Sequence, residues 1–254
     1  MRTTKKSVLI LMVVMLSFTT FIKAQTVLSL KSFKTGIYNQ QSTGKGLDYN
    51  EFSKNSKSTS FLPTSTNYSN TLSSITLKNT GFFFGFEFQI GQADLLESNK
   101  HSFSIDIRNN LSSSNRLDNV FILKQNVTDT SQQANYNLAL KNEIFGVGIG
   151  YHFNWINKNR FNGAVGLGFR YDIPVSRNLI STSGDGVIEN QGFKYFLMLN
   201  SGWLFSPSIS FDYRVTKYAS LAFDYAFGMQ TQKIDNTRFT SSSSVAQIGL
   251  KFNI

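Results

Sequence analysis

Apolar and polar residues alternate strictly along the end of the chain, from 246 to 254. One parity is apolar: Ala246, Ile248, Leu250, Phe252 and Ile254. The other parity is polar or small: Gln247, Gly249, Lys251 and Asn253. Because successive side chains of a β-strand point to opposite faces, this segment predicts a strand with one apolar and one polar face.

The same alternation recurs upstream. It marks strands at 82–90, 103–108, 145–153, 165–172, 193–215 and 221–230. The segment Phe193–Val215 keeps one apolar parity throughout, which predicts a single long strand. A hairpin that turns at 200–202, with Pro207 on an edge strand, is the alternative for this segment.

The gaps between these segments alternate between short and long. The short gaps are 91–100, 154–160 and 216–218, and the long gaps are 109–137, 173–192 and 231–244. Outer-membrane barrels show this asymmetry, with short periplasmic turns and longer extracellular loops. Counting back from a last strand that ends in the periplasm requires one more strand, for which Thr26–Phe33 is the candidate. The sequence therefore predicts an all-β, eight-stranded antiparallel up-and-down barrel with a long polar loop at about 36–78.

A soluble β-sandwich would show similar alternation, but it would bury its apolar faces. The chain holds 24 Phe, 10 Tyr and 2 Trp, and the faces opposite these aromatic residues carry glycine and charge. This combination favours a barrel whose apolar face meets lipid. Aromatic residues near the strand ends predict interfacial girdles: Tyr151, Phe153, Trp155, Tyr171, Phe211, Tyr213 and Tyr225.

The charged residues of the other parity are predicted to form a polar cluster in the lumen. They are Glu87, Asp106, Arg108, His152, Arg170, Asp172, Asp212, Arg214, Asp224 and Lys251. The interior of an eight-stranded barrel is just wide enough for side chains to fill it. Acid–arginine neighbours two residues apart along a strand therefore predict a salt-bridged interior rather than an open channel.

Residues 1–24 have the features of a cleaved secretory signal peptide. A basic start (Arg2, Lys5, Lys6) precedes the apolar stretch Val8–Leu16, and Ala24 precedes the predicted cleavage point. The alternative is an N-terminal membrane anchor, but the apolar stretch is shorter than the roughly 20 residues a spanning helix needs. We therefore expect export and a mature barrel domain at 25–254 in the cell outer membrane.

The signal peptide, the eight alternating strands and the terminal strand Gly249–Ile254 resemble the small outer-membrane β-barrel superfamily, of the OmpA-like transmembrane domain type. The resemblance covers the mature chain and is one of architecture. It implies that the terminal strand is recognised by the barrel-insertion machinery through Ile248, Leu250, Phe252 and Ile254. The family usually ends in an aromatic residue, whereas here Ile254 takes that place.

Candidate catalytic residues are few. The chain has no cysteine, which excludes thiol nucleophiles and disulfides, and its histidines are His101 and His152. The His-x-Ser pattern of lipid A deacylase barrels is absent, because Phe103 and Asn154 follow at that spacing. We therefore expect no enzymatic activity, no cofactor and no metal, and a structural or surface-interaction role through extracellular loops. A narrow channel or a transport or secretion accessory is the alternative, and a lipid A-modifying enzyme is the third.

The formal net charge of +10 raises the question of an anionic partner. The basic residues are spread over every segment, which argues against nucleic acid. The expected partners are outer-membrane lipid, lipopolysaccharide and an extracellular ligand. The basic residues expected in the loops are Lys45, Lys54, Lys57, Arg116, Lys124, Arg177, Lys233 and Arg238.

Overall fold

The computed structural model describes residues 26–55, 68–92, 100–110, 118–125, 135–183, 188–189, 202–234 and 237–254. One short helix, α1, covers Tyr49–Asn55. The strands are β1 (Thr26–Lys45), β2 (Tyr68–Asn70), β3 (Ser74–Gln92), β4 (His101–Asn109), β5 (Asp118–Gln125), β6 (Asn135–Lys158), β7 (Phe161–Ser183), β8 (Ile188–Glu189), β9 (Gly202–Arg214), β10 (Ala219–Ile234) and β11 (Thr237–Asn253).

Eight of the described strands close into a barrel. Their order around the ring is β1-β3-β4-β6-β7-β9-β10-β11, every neighbouring pair is antiparallel, and β11 returns to pair with β1. At the closing seam, Ser32 pairs with Asn253 and the register continues without a shift to Gly44 opposite Ser241. The predicted eight-stranded antiparallel barrel is confirmed. The short strands β2, β5 and β8 extend the sheet beyond the ring.

The strands are longer than the hydrophobic alternation suggested. β1 continues to Lys45 and β3 begins at Ser74, so the loop expected at about 36–78 is shorter and contains α1 and β2. Most of the loop expected at 231–244 is likewise strand, because β10 extends to Ile234 and β11 starts at Thr237. Backbone ladders continue through Ser-, Thr- and Gln-rich sequence, where apolar residues no longer mark the period.

Some predictions fall outside the described residues. They are the signal peptide at 1–24, the loop cations Lys57 and Arg116, and the start of the strand expected at Phe193–Val215. Within that segment, β9 covers Gly202–Arg214. Pro207 lies opposite Leu167 of β7 and interrupts the pairing with β10, as expected for a residue without a backbone N–H.

The two ends of the barrel differ. At one end, which we call the turn end, β6 and β7 are joined by Asn159–Arg160, and β9 and β10 by Val215–Tyr218. Asn159 has a φ of 40°, a left-handed conformation that asparagine tolerates in tight turns. The opposite end, the loop end, carries α1, β2 and β5. Among the described residues, the structure contains no helix with the length and apolarity needed to cross a membrane.

Candidate functional site

The outer face of the barrel is an exposed apolar belt. Its members include Leu28, Ile37, Phe82, Phe84, Phe86, Ile107, Ile149, Val165, Leu167, Phe205, Ile209, Leu221, Phe223, Phe227, Ile248 and Leu250. Soluble monomers rarely expose contiguous apolar patches larger than a few hundred Å². A belt around a closed barrel with a polar interior is the lipid-facing surface of an outer-membrane protein. The alternative of a soluble sandwich is therefore wrong.

Aromatic side chains flank this belt near both ends. Near the turn end, the rings of Phe161 and Phe211 stack with centroids 5.8 Å apart, and Trp155 is exposed. Near the loop end, Trp203 lies 4.2 Å from the ring of Tyr171, measured between centroids. Amphipathic rings at both edges of an apolar belt are typical of membrane–water interfaces.

The lumen near the turn end holds a salt-bridge chain. The Lys251 ammonium lies 2.6 Å from Glu87 Oε2 and 2.5 Å from Asp212 Oδ2. Lys31 Nζ lies 3.0 Å from Glu87 Oε1, and Ser32 Oγ donates to Glu87 Oε2 at 3.1 Å. Two cations thus face two carboxylates that are removed from solvent, and Lys251 contacts both of them, which satisfies the requirement that buried charges be paired.

The middle of the lumen surrounds a cavity of about 70 Å³. Lys34 Nζ lies 3.3 Å from Asp224 Oδ1, and His152 Nε2 lies 2.9 Å from Ser104 Oγ. Asp106 also lines this cavity. A cavity of this size accommodates a few water molecules and is too small for a lipid or a sugar.

Arg108 links the middle of the lumen to the part nearer the loop end, which we call the upper lumen. With the amide of Gln247 turned so that its oxygen faces the guanidinium, that oxygen accepts from Arg108 Nη2 at 2.9 Å and from Nε at 3.0 Å. The guanidinium carbon also lies 5.6 Å from the ring centroid of Tyr38. Within the described part of the chain, Arg108 is therefore held by an amide and an aromatic face.

The upper lumen is filled by a hydrogen-bonded network. Arg170 Nε donates to Asp172 Oδ1 at 2.7 Å, and Arg170 Nη2 donates to Asp172 Oδ2 at 3.0 Å. Gln230 Nε2 donates to Asp172 Oδ2 at 2.9 Å, and Gln40 Nε2 donates to Gln230 Oε1 at 3.1 Å. Ser42 Oγ adds a bond to Gln230 Oε1 at 2.7 Å. The network joins β1, β7 and β10 across the lumen.

Lumen-facing glycines make room for these side chains. A Cβ at Gly146 would lie 2.7 Å from Asp172 Oδ1, and one at Gly150 would lie 2.6 Å from Ser104 Oγ. Both distances are shorter than normal contacts. The alternating glycines of β6 therefore leave the space in the lumen that the side chains of Arg170, Asp172 and His152 occupy.

The structure places most residues of the predicted lumen cluster in the barrel interior. Its members face the interior except Arg214, which is exposed at the turn end because β9 ends there. Of the acid–arginine neighbours, Arg170 and Asp172 pair with each other, whereas Asp212 pairs with Lys251 across the barrel. The sequence reasoning missed the β1 and β10 contributors: Lys31, Lys34, Gln40, Ser42 and Gln230. On β1 a register shift between Leu30 and Ser32 moves the interior face to the parity of Lys34, Gln40 and Ser42, so extending the alternation beyond Phe33 would not have identified them.

The loop end holds a buried apolar cluster that the sequence reasoning did not predict. Its buried members are Tyr49, Phe52, Ile75, Leu77, Phe121, Leu123, Ile144 and Phe239, and we call it the cap. Phe52 and Phe121 have ring centroids 4.8 Å apart, and Phe52 has no exposed surface. Burial raises the pKa of the Tyr49 phenol, so it stays protonated.

Polar residues fix the backbone of the cap. Asp48 Oδ1 accepts from the backbone N of Asn50 at 2.7 Å, which is the contact expected of a helix N-cap. Asn70 Nδ2 donates to Leu47 O at 2.9 Å, and Asn70 Oδ1 accepts from Ile122 N at 3.2 Å. The cap therefore has the buried core and satisfied polar groups of a small folded unit.

The two histidines lie in different surroundings. His101 is exposed at the turn end and its Nδ1 lies 2.5 Å from the hydroxyl of Tyr151. His152 contacts Ser104, but none of the described carboxylates hydrogen-bonds to its Nδ1, as the third member of a hydrolytic triad would. In the described part of the chain, no group of three or more His, Cys, Asp or Glu could hold a metal ion.

No family model matches the sequence, and no curated protein matches it. Among solved structures, the outer membrane protein OprG from Pseudomonas aeruginosa is similar, with 10% identity, a TM-score of 0.42, and coverage of 89% of this chain and 96% of that chain. Neisserial surface protein A has 11% identity and a TM-score of 0.38, covering 87% and 97%. The outer membrane protease OmpT from Escherichia coli has 9% identity and a TM-score of 0.39, covering 88% and 96%. At these values the likenesses carry no argument about activity.

Proposed function

We propose that this outer-membrane barrel is a closed, non-enzymatic anchor that presents its loop end to an extracellular ligand. The observation that carries the proposal is the packing of side chains at two levels of the lumen. The Arg170–Asp172–Gln230 network crosses the interior, and the apolar cap packs above it. A rigid scaffold that carries binding segments at one end is a common arrangement for recognition.

The loop end is proposed to face the outside. Short turns of outer-membrane barrels lie in the periplasm and the larger connections lie outside. The exposed residues of α1, including Asn50, Glu51 and Lys54, would then be available to a ligand, with lipopolysaccharide beside them. The mixed charge of this surface suits a polar ligand better than a strongly anionic one.

The competing function is a narrow channel or a transport accessory, which the charged central cavity favours. We expect the folded protein to give no stepwise conductance in planar bilayers, because a path through the barrel must break the upper network. A variant that combines Gln40→Ala, Arg170→Ala and Gln230→Ala with Phe52→Ala should conduct, since it removes both the side chains that fill this level and the ring that holds the cap. Steady conductance by the unmodified protein would overturn the closed-anchor proposal.

A lipid A-modifying activity is the third candidate function, and the observation that supports it is the contact between Ser104 and His152. We expect mass spectra of lipid A to be the same with and without expression of the protein. The matched control is Ser104→Ala, which removes the hydroxyl and leaves the barrel filled. A mass change that disappears with Ser104→Ala would establish an enzyme instead.

The terminal strand is proposed to be the segment that the insertion machinery recognises. Phe252 lies on the outer face of β11 and its ring stacks on Phe33 of β1, with centroids 4.6 Å apart. We expect Phe252→Ala to slow assembly in cells more than Phe33→Ala, measured by pulse-chase of the heat-modifiable form. Both variants lose the same ring contact, so equal slowing would show that packing rather than recognition is responsible.

A further inference from the structure

The turn end carries a group of exposed cations. They are Lys100, Lys158, Arg160, Arg214 and Lys217, which we call the basic rim. The described residues of this end, at 26–31, 89–92, 100–101, 153–161, 213–220 and 251–254, contain no Asp or Glu. Asp94 and Glu97, between β3 and β4 in the sequence, lie outside the described residues.

The barrel backbone holds the rim together. The backbone N of Arg214 donates to Arg160 O at 2.7 Å, so these two cations lie on neighbouring segments. The backbone N of Asn154 donates to Lys100 O at 2.7 Å, which joins the start of β4 to the end of β6. The rim therefore spans adjacent strands from β4 to β10. Like charges on neighbouring strands repel one another, and an anionic partner would relieve the repulsion.

The rim lies next to the aromatic edge of the lipid-facing belt. Arg160 precedes Phe161, Arg214 follows Tyr213, and both aromatic side chains are exposed on the outer face. Lys217 Nζ lies 4.7 Å from the ring centroid of Tyr218, which is also exposed. Interfacial aromatic rings lie at the level of lipid headgroups. The adjacent ammonium and guanidinium groups therefore reach the depth at which lipid phosphates lie.

We propose that the basic rim binds the phosphates of an anionic phospholipid, of the phosphatidylglycerol type, in the leaflet at the turn end. The proposal rests on the membrane placement of the barrel and extends the proposed function by naming the lipid class and the residues. Each Lys or Arg near a membrane surface contributes about 1 kcal/mol of attraction to anionic lipid, or about fivefold in binding. Continuity with the aromatic edge favours a lipid over a soluble polyanion.

The two tryptophans provide local reporters. The chain has two Trp residues, and Trp155 lies near the turn end whereas Trp203 lies near the loop end. We would reconstitute Trp203→Phe and Trp155→Phe in phosphatidylcholine vesicles doped with either brominated phosphatidylglycerol or brominated phosphatidylcholine. Bromine quenches a tryptophan that it contacts. Trp155 should show a relative association constant for phosphatidylglycerol about fivefold above that for phosphatidylcholine. Trp203 should show a smaller preference.

Charge variants in the Trp203→Phe background complete the test. Replacing Lys158, Arg160, Arg214 and Lys217 with Gln should bring the preference of Trp155 close to one. The matched control replaces four loop-end cations with Gln (Lys45, Lys54, Lys233 and Arg238) and should leave the preference unchanged. Molar salt should also abolish it, because the Debye length is then about 3 Å.

Three results would overturn the proposal. They are no preference for phosphatidylglycerol at Trp155, the same preference at both tryptophans, and a preference at Trp155 that survives neutralisation of the rim. If the fourfold variant does not migrate as a folded barrel, the pairs Lys158→Gln with Arg160→Gln and Arg214→Gln with Lys217→Gln replace it. The same vesicles report barrel insertion by heat-modifiable migration. Failure of the lipid preference in inserted protein would leave the closed-anchor proposal standing.

Discussion

Replacing Lys251 with methionine is expected to lower the free energy of unfolding by about 3–5 kcal/mol. The ammonium of Lys251 contacts Glu87 and Asp212 in the lumen, and the side chains of all three residues are more than nine-tenths buried. Methionine fills a similar volume, so the loss comes from two carboxylates left in a poorly solvated interior. Lys31 compensates for part of this at Glu87, but it lies on the opposite carboxylate oxygen and is more exposed. Asp212 keeps no cation among its described contacts.

The measurement is the urea dependence of unfolding in detergent micelles, followed by the heat-modifiable band and by circular dichroism. Lys217→Met is the matched control, because it removes the same charge from the exposed turn end and should change stability by less than about 1 kcal/mol. A variant that combines Lys251→Met with Glu87→Gln and Asp212→Asn should regain much of the loss. If Lys251→Met and Lys217→Met unfold at the same urea concentration, the salt-bridge chain does not stabilise the barrel.

The strands and the interior face could be predicted from the sequence because both depend on a period of two. The lipid-facing parity of Phe82 to Ile90 and the opposite parity containing Glu87 follow directly from the alternation. The pairing of Lys251 with Asp212 could not be predicted, because it depends on the stagger between β9 and β11 around the closed ring. A cross-strand partner is fixed by the three-dimensional register and not by sequence distance.

The cap was missed for a different physical reason. Its apolar residues come from β3, β5, β6 and β11 as well as from α1, and they are separated by long polar stretches. Tyr49 and Phe52 are two aromatic residues in a sequence otherwise rich in Ser, Thr and Asn, which predicts a loop when considered alone. Only the closure of the barrel brings Phe121 and Phe239 to the same place. The polar strand extensions were missed because their side chains carry no apolar signal.

The cap also gives the second large prediction. Phe52→Ala is expected to destabilise the cap by about 3–5 kcal/mol, because it removes a fully buried aromatic ring that packs against Phe121. A helix the length of α1 has no stability of its own in water, so it depends on this packing. We expect the helix to detach while the barrel remains folded, since the ladders of β1, β3 and β11 do not depend on it.

Hydrogen exchange followed by mass spectrometry checks this expectation. Peptides that cover Tyr49–Asn55 should lose their protection in Phe52→Ala, whereas peptides that cover Gly202–Arg214 should keep it. Asn50→Ala is the matched control, because Asn50 is exposed on the same helix and is not a member of the cap. Unchanged protection of α1 would show that Phe52 does not hold the cap, and loss of protection in both regions would show that cap and barrel unfold together. The Arg170–Asp172 network lies on the turn-end side of the cap, so the Phe52→Ala protein with a detached α1 should still give no conductance. Conductance therefore distinguishes the block by the network from the block by the cap.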